Sequence, residues 1–115
     1  MQTDITNIFC IADINITGAL DQVLRELALP EVFIQGAKQM TLADKQGFLG
    51  LRPVTKLQES RALLYRMNVP SEYSEGIMNR IADATDLKMG GRGSIISHHV
   101  NLRRGTPFIF DYEKL

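Results

Sequence analysis

The sequence predicts an α+β domain, a four-stranded antiparallel sheet with two helices on one face. Three observations carry that prediction. Short apolar runs rich in β-branched and aromatic residues alternate with segments of helical periodicity, in the order strand, helix, strand, strand, helix, strand. An aperiodic stretch, about 43–59, separates two halves of similar size. Only two segments have helical spacing, so helices can cover only one side of the sheet.

The chain has 115 residues, enough for one domain with a real core, and 44% of them are apolar. Residues 1–115 are therefore read as a single domain. Thirteen basic side chains balance thirteen acidic ones, leaving net charge zero. No one-signed field points to nucleic acid or to an anionic membrane. A neutral small domain is poorly protected against association, which favours an oligomer. The single cysteine, Cys10, allows no internal disulfide. Met1-Gln2-Thr3-Asp4 lacks the basic start and apolar run of a secretory signal, and no run approaches the roughly 18 residues of a membrane helix. A cytoplasmic protein without membrane insertion is expected.

The elements follow in order. Asn7 to Ala12 is an almost continuous apolar run, read as a first strand with Cys10 as a small core residue. Asp13 and Asn15 break it, and Thr17 is placed to cap the helix that follows. Leu20, Val23, Leu24 and Leu27 then mark one face of that helix, from about Gly18 to Ala28, and Pro30 ends it. A second strand is expected from Glu31 to Leu42, with Gly36 marking a bulge or a close backbone approach. Residues 43–59 form a long loop whose Phe48, Leu49, Leu51, Val54 and Leu57 suit a partner better than solvent.

Arg61 to Val69 reads as the third strand, stopped at Pro70. Ser71 is a suitable N-cap, and Tyr73, Ile77, Met78, Ile81 and Ala84 line one face of a helix to about Thr85. Gly76 within it points to a tight packing contact. The fourth strand is expected from Ser94 to Leu102, and the apolar, aromatic tail 106–115 to pack on the body, a neighbouring subunit or a ligand.

Between the second helix and the fourth strand lies Met89-Gly90-Gly91-Arg92-Gly93-Ser94. Three glycines in four residues let backbone amides approach an anion closely, and Arg92 adds a fixed charge. The same residues also suit a plain helix-to-strand turn, with Gly90 as the C-terminal cap. The order βαβ, loop, βαβ gives the ferredoxin-like arrangement. The first strand is apolar on both faces, so the face without helices must be buried by association.

This combination of element order, middle loop, glycine turn and strand-ending arginines resembles the PII signal-transduction superfamily, over about Ile5 to Gly105. The most specific piece is Asp86 to Ile95, which is similar to that family's B-loop. The resemblance implies a homotrimer binding an adenine nucleotide or related effector (ADP, AMP, ATP or a cyclic nucleotide) in clefts between subunits, with no tightly bound cofactor. It also implies a middle loop, 43–59, that docks on a target protein such as a membrane transporter or an enzyme. By the same resemblance Gly91, Arg92, Gly93 and Ser94 hold phosphates, Arg103 and Arg104 reach them across the cleft, and Gly36 and Gln39 lie at the loop's base. Arg92 stands where that family has Asp, Ser94 where it has Lys, and Asn101 at one arginine position. The loop is shorter and lacks the tyrosine motif uridylylated in nitrogen-regulatory members, so the likeness is to a PII-like protein outside that group.

An enzyme is not expected: no His/Asp/Ser or Cys/His set stands at a usable spacing. His98 and His99, the only histidines, are adjacent on a strand and point to opposite faces, so one chain cannot chelate with both. An alternative is a divalent-metal-responsive trimer similar to the CutA proteins, using His98 or His99 from several copies. A purely structural interaction module is a third reading, and it predicts that neither ligand acts.

Overall fold

The computed structural model describes residues 4–45, 54–101 and 103–105. Strand β1 is Ile5–Asp13, and a 3₁₀ turn, Ile14–Ile16, leads into helix α1, Thr17–Leu27. Strands β2, Phe33–Lys45, and β3, Val54–Pro70, form a hairpin; helix α2, Ser71–Thr85, and strand β4, Gly93–His99, complete the second half. The sheet order is β2-β3-β1-β4 with every neighbouring pair antiparallel. Each helix carries the chain past a gap of one strand, and the other half fills that gap. This is the ferredoxin-like βαββαβ arrangement the sequence predicts.

Alternation along the strands decides the core. Ile8, Cys10 and Ala12 of β1 and Tyr65, Met67 and Val69 of β3 face the helices and are buried against Leu20, Val23 and Leu24 of α1 and Ile77 and Ile81 of α2. Met78 packs against the edge of this cluster. The buried Tyr65 hydroxyl donates to Asp21 Oδ1 at 2.9 Å, tying β3 to α1. Burial, and then this bond, push the phenol's pKa up. Burial likewise pushes the Cys10 thiol up to about 11, as fits a packed core residue.

Several local expectations change. Thr17 does not cap α1: its hydroxyl donates back to the Ile14 carbonyl at 2.9 Å, while Asp13 accepts from the Asn15 amide and caps the 3₁₀ turn. Ser71 is the first residue of α2, not its cap, and it anchors the helix to β1. Its amide donates to the Asp4 carbonyl at 2.9 Å and its hydroxyl accepts from Thr6 at 2.8 Å. The C-cap of α2 is Asp86, in the left-handed region at φ 53°, not Gly90. Gly36 makes no bulge, because pairing runs in register on both sides of Gly36↔Leu63, and a Cβ there would meet nothing. Gly76 is exposed, with open space around it, so no tight contact explains it.

The largest change concerns 43–59. The β2–β3 ladder continues to Lys45↔Val54, so 43–45 and 54–59 are strand, and β3 begins well before Arg61. Residues 46–53 lie outside the described residues, as does the tail 106–115. Beyond the row of Ala37, Ala62 and Asp13 the hairpin runs on without β1 as a neighbour. Strand β4 ends at His99 rather than Leu102.

Candidate functional site

The sheet's register fixes where each predicted site residue stands. Gly36, Leu63, Ala12 and Gly93 form one row across β2, β3, β1 and β4. Gly36 and the end of the glycine turn are thus level, but on opposite edges of the sheet, about 14 Å apart at ordinary strand spacing. Gln39 lies farther along the hairpin, paired with Ser60. Arg103 and Arg104 sit at the other end: the Val100 amide donates to the Ile5 carbonyl at 2.9 Å, and Ile5 pairs with Pro70. From Gly93 to Val100 the strand covers about 23 Å. One chain therefore gathers Gly36, Gln39 and Gly91 to Ser94 at one end and keeps Arg103 and Arg104 at the opposite end.

The turn itself is built by local chemistry. After Asp86 the Leu87 amide donates to the Ala82 carbonyl at 3.1 Å and the Met89 amide to the Asp86 carbonyl at 3.1 Å. Gly91 has φ 82°, a region costly for a residue with a side chain. The Arg92 carbonyl accepts from the Asp13 amide at 2.9 Å, which locks the turn to the end of β1. Gly93, at φ 141°, lies against β1 so closely that a Cβ would collide with the Ile11 carbonyl. The glycine at 93 thus has a structural cause in the sheet itself, whereas a Cβ at Gly90 or Gly91 would meet nothing within 4 Å. The Arg92 guanidinium reaches Met89 Sδ at 3.6 Å. Ser94 is exposed, on the side of the sheet away from the helices, level with Ile11.

Two hollows accompany these ends. One, of about 650 Å³, lies at the base of the hairpin and is lined by Ile14, Gly36, Lys38, Glu59, Arg61 and Ala62 among others. Lys38 and Glu59 form an exposed ion pair at 3.7 Å there. The other, of about 420 Å³, lies at the far end, between Ile5, Glu31, Phe33, Asn68 and the Arg103–Arg104 segment. Lys38, Arg61, Glu31, Phe33 and Asn68 were not singled out from the sequence. Their convergence depends on strand register, which no local pattern reveals, although an aromatic residue opening a strand (Phe33) was visible.

The histidines separate as expected. His98 is level with Asn7 on the side away from the helices, and His99, on the other side, has Nδ1 3.1 Å from Asn101 Oδ1. Among the described residues no three His, Cys, Asp or Glu side chains come together as a metal site within one chain. No described helix is long and apolar enough to cross a membrane.

No protein-family model matches the sequence, and no curated protein matches it. Solved structures do share the architecture. The GlnK–ATP complex of B. subtilis aligns with a TM-score of 0.67 at 10% identity, covering 85% of each chain. B. subtilis GlnK in a second structure gives 0.65 at 10% identity, over 86% of this chain and 87% of that one. Arabidopsis thaliana PII bound to citrate gives 0.58 at 14% identity, over 86% of this chain and 79% of that one. At such identities the likeness speaks for the backbone alone: the chain shares its fold with these GlnK and PII structures.

Proposed function

We propose that this chain is a PII-like signal-transduction protein that works as a cytoplasmic homotrimer. It binds an adenine nucleotide in the clefts between subunits and regulates a partner protein through the end of the β2–β3 hairpin. The observation that carries the reading is the division of the candidate phosphate residues between opposite ends of one chain. Gly91, Arg92, Gly93 and Ser94, with Gly36 and Gln39 at the hairpin base, supply one wall. Arg103 and Arg104 of a neighbouring copy supply the other. The open sheet face supports the association: Phe9, Ile11 and Leu64 are half-buried, and Phe33 and Ile96 are 57% and 46% exposed. The GlnK relative solved with ATP supports an adenine nucleotide as the first effector to test.

The effector would signal by binding one arrangement of the hairpin end better than another, since a ligand shifts an equilibrium only by its differential affinity. The partner is a protein, a transporter or an enzyme, engaged by the hairpin end, and the chain itself is not a catalyst.

A thermal-shift screen against ATP, ADP, AMP, cyclic AMP, cyclic di-AMP and divalent metals tests the reading. An adenine nucleotide at a hundred times its Kd raises stability by about 2.7 kcal/mol. Arg92→Ala abolishes that shift. A shift with metals alone, or with none of these ligands, contradicts it.

A further inference from the structure

The outer strand β2 is covered less completely than its neighbours. Helices α1 and α2 pack over β1 and β3, while Ile34, paired with Tyr65 and on the same side of the sheet, is 57% exposed. Ile34 borders a third hollow, of about 370 Å³, with Leu24 and Leu29 from the end of α1, Val32 from the approach to β2, and Asp21 and Arg25. We propose that this hollow is the docking site of the same chain's C-terminal tail, residues 106–115, which lie outside the described residues. The inference stands apart from the nucleotide reading and holds equally for a chain that binds no nucleotide.

Three observations choose this occupant. The first is where the described chain ends. Gly105 shares a hollow with Glu31 and Phe33, and Val32 and Ile34 alternate with those two residues along the chain. Ile34 lies about 10 Å beyond Glu31 at extended spacing. The tail after Gly105 has ten residues and spans about 33 Å when extended. Its point of departure is held: Gly105 turns at φ 80°, and its carbonyl accepts from Arg103 Nη1 at 2.8 Å.

The second is composition. The tail carries Phe108, Ile109, Phe110 and Tyr112, more apolar surface than a solvated end calls for. The hollow presents matching surface, with Leu24 buried, Leu29 and Val32 half-buried and Ile34 open. Phe108 and Phe110 fall on one side of an extended segment, so both rings can enter together. The third is charge. The Asp21 carboxylate accepts from the Tyr65 hydroxyl at 2.9 Å, whereas Arg25 is exposed. Asp111 and Glu113 follow the phenylalanines and supply the opposite sign. A tail seated there also covers part of an edge strand, whose open flank otherwise invites pairing with other chains.

Cross-linking and hydrogen exchange on the full chain test the docking. Ile34→Cys is combined with Phe108→Cys or with Phe110→Cys and oxidised with glutathione disulfide; the buried Cys10 stays out of the exchange. At least one pair closes a disulfide within a single chain, read by intact mass under denaturing conditions. Met89→Cys, exposed near the glycine turn, does not close with either tail cysteine. Independently, Phe108→Ala with Phe110→Ala speeds amide exchange over residues 24–34 about tenfold and leaves β1 unchanged, because only the covered segment opens more readily. The proposal is overturned if neither pair closes, if the Met89 control closes as readily, or if exchange over 24–34 is unchanged. Disulfides that form only between chains also overturn it, since they place the tail on a second copy.

Discussion

The two faces of the sheet are built from similar residues and finished differently. On the helix side, Ile8, Cys10, Tyr65 and Met67 are fully enclosed within the chain. On the other side Phe9, Ile11 and Leu64 stay half-buried, and one row carries Phe33, Arg66, Phe9 and Ile96 across all four strands. The first face holds one chain together. The second leaves apolar side chains partly exposed, and under the proposed function it joins the two ends of neighbouring sheets into one site. The difference teaches that folding and function draw on separate sets of apolar residues in a chain this small.

Perturbing each face in turn sharpens the contrast. Met67→Ala, on the enclosed face, lowers unfolding free energy by about 3 kcal/mol in denaturant titration, through lost burial and the cavity left behind. Its effect is largely in the fold. Gly93→Ala costs about 2 kcal/mol or more in the same measurement, from the positive φ and the collision with the Ile11 carbonyl. Phe9→Ala, on the open face, costs about 1–2 kcal/mol of apparent stability, and light scattering shows the trimer dissociating at micromolar concentration. An unchanged mass for that variant breaks the comparison.

The smallest effect is on pH. Burial raises the Cys10 pKa from 9.0 to about 11, so the folded state resists ionisation that the unfolded chain accepts. The stabilisation is complete below pH 9 and is lost as pH climbs through the folded value, costing about 1 kcal/mol by pH 10. Melting temperature against pH reads it as the difference between the wild type and Cys10→Ala, which lacks the thiol's part of the loss but keeps that of Tyr65.

What could be read from the sequence was local. Leu20, Val23, Leu24 and Leu27 declared α1, and the apolar run 7–12 declared β1, because spacing along one element reports its face. What could not be read was pairing. Nothing within 43–59 signals that Lys45 meets Val54, so strand was taken for loop. The close approach of Gly93 to the Ile11 carbonyl could not be read, because the two are remote in sequence. Glu31, Phe33 and Asn68 went unread as a group because they meet only when β2, β3 and the 100–105 segment are folded side by side. The glycine turn and the arginines were found by type and order, while their separation to opposite ends of β1 required the register.

The most direct test of the shared site mixes two inactive variants. Arg92→Ala removes the phosphate wall from its own chain, and Arg103→Ala removes the opposing charge; each homotrimer binds nucleotide weakly or not at all. Unfolding and refolding them together in equal amounts produces mixed trimers. About one cleft in four then joins an intact glycine turn to an intact arginine segment, as random assembly about a cyclic axis requires. The account predicts that wild-type affinity for ADP returns at that fraction of sites. Mixed trimers that recover no binding would contradict a site shared between chains.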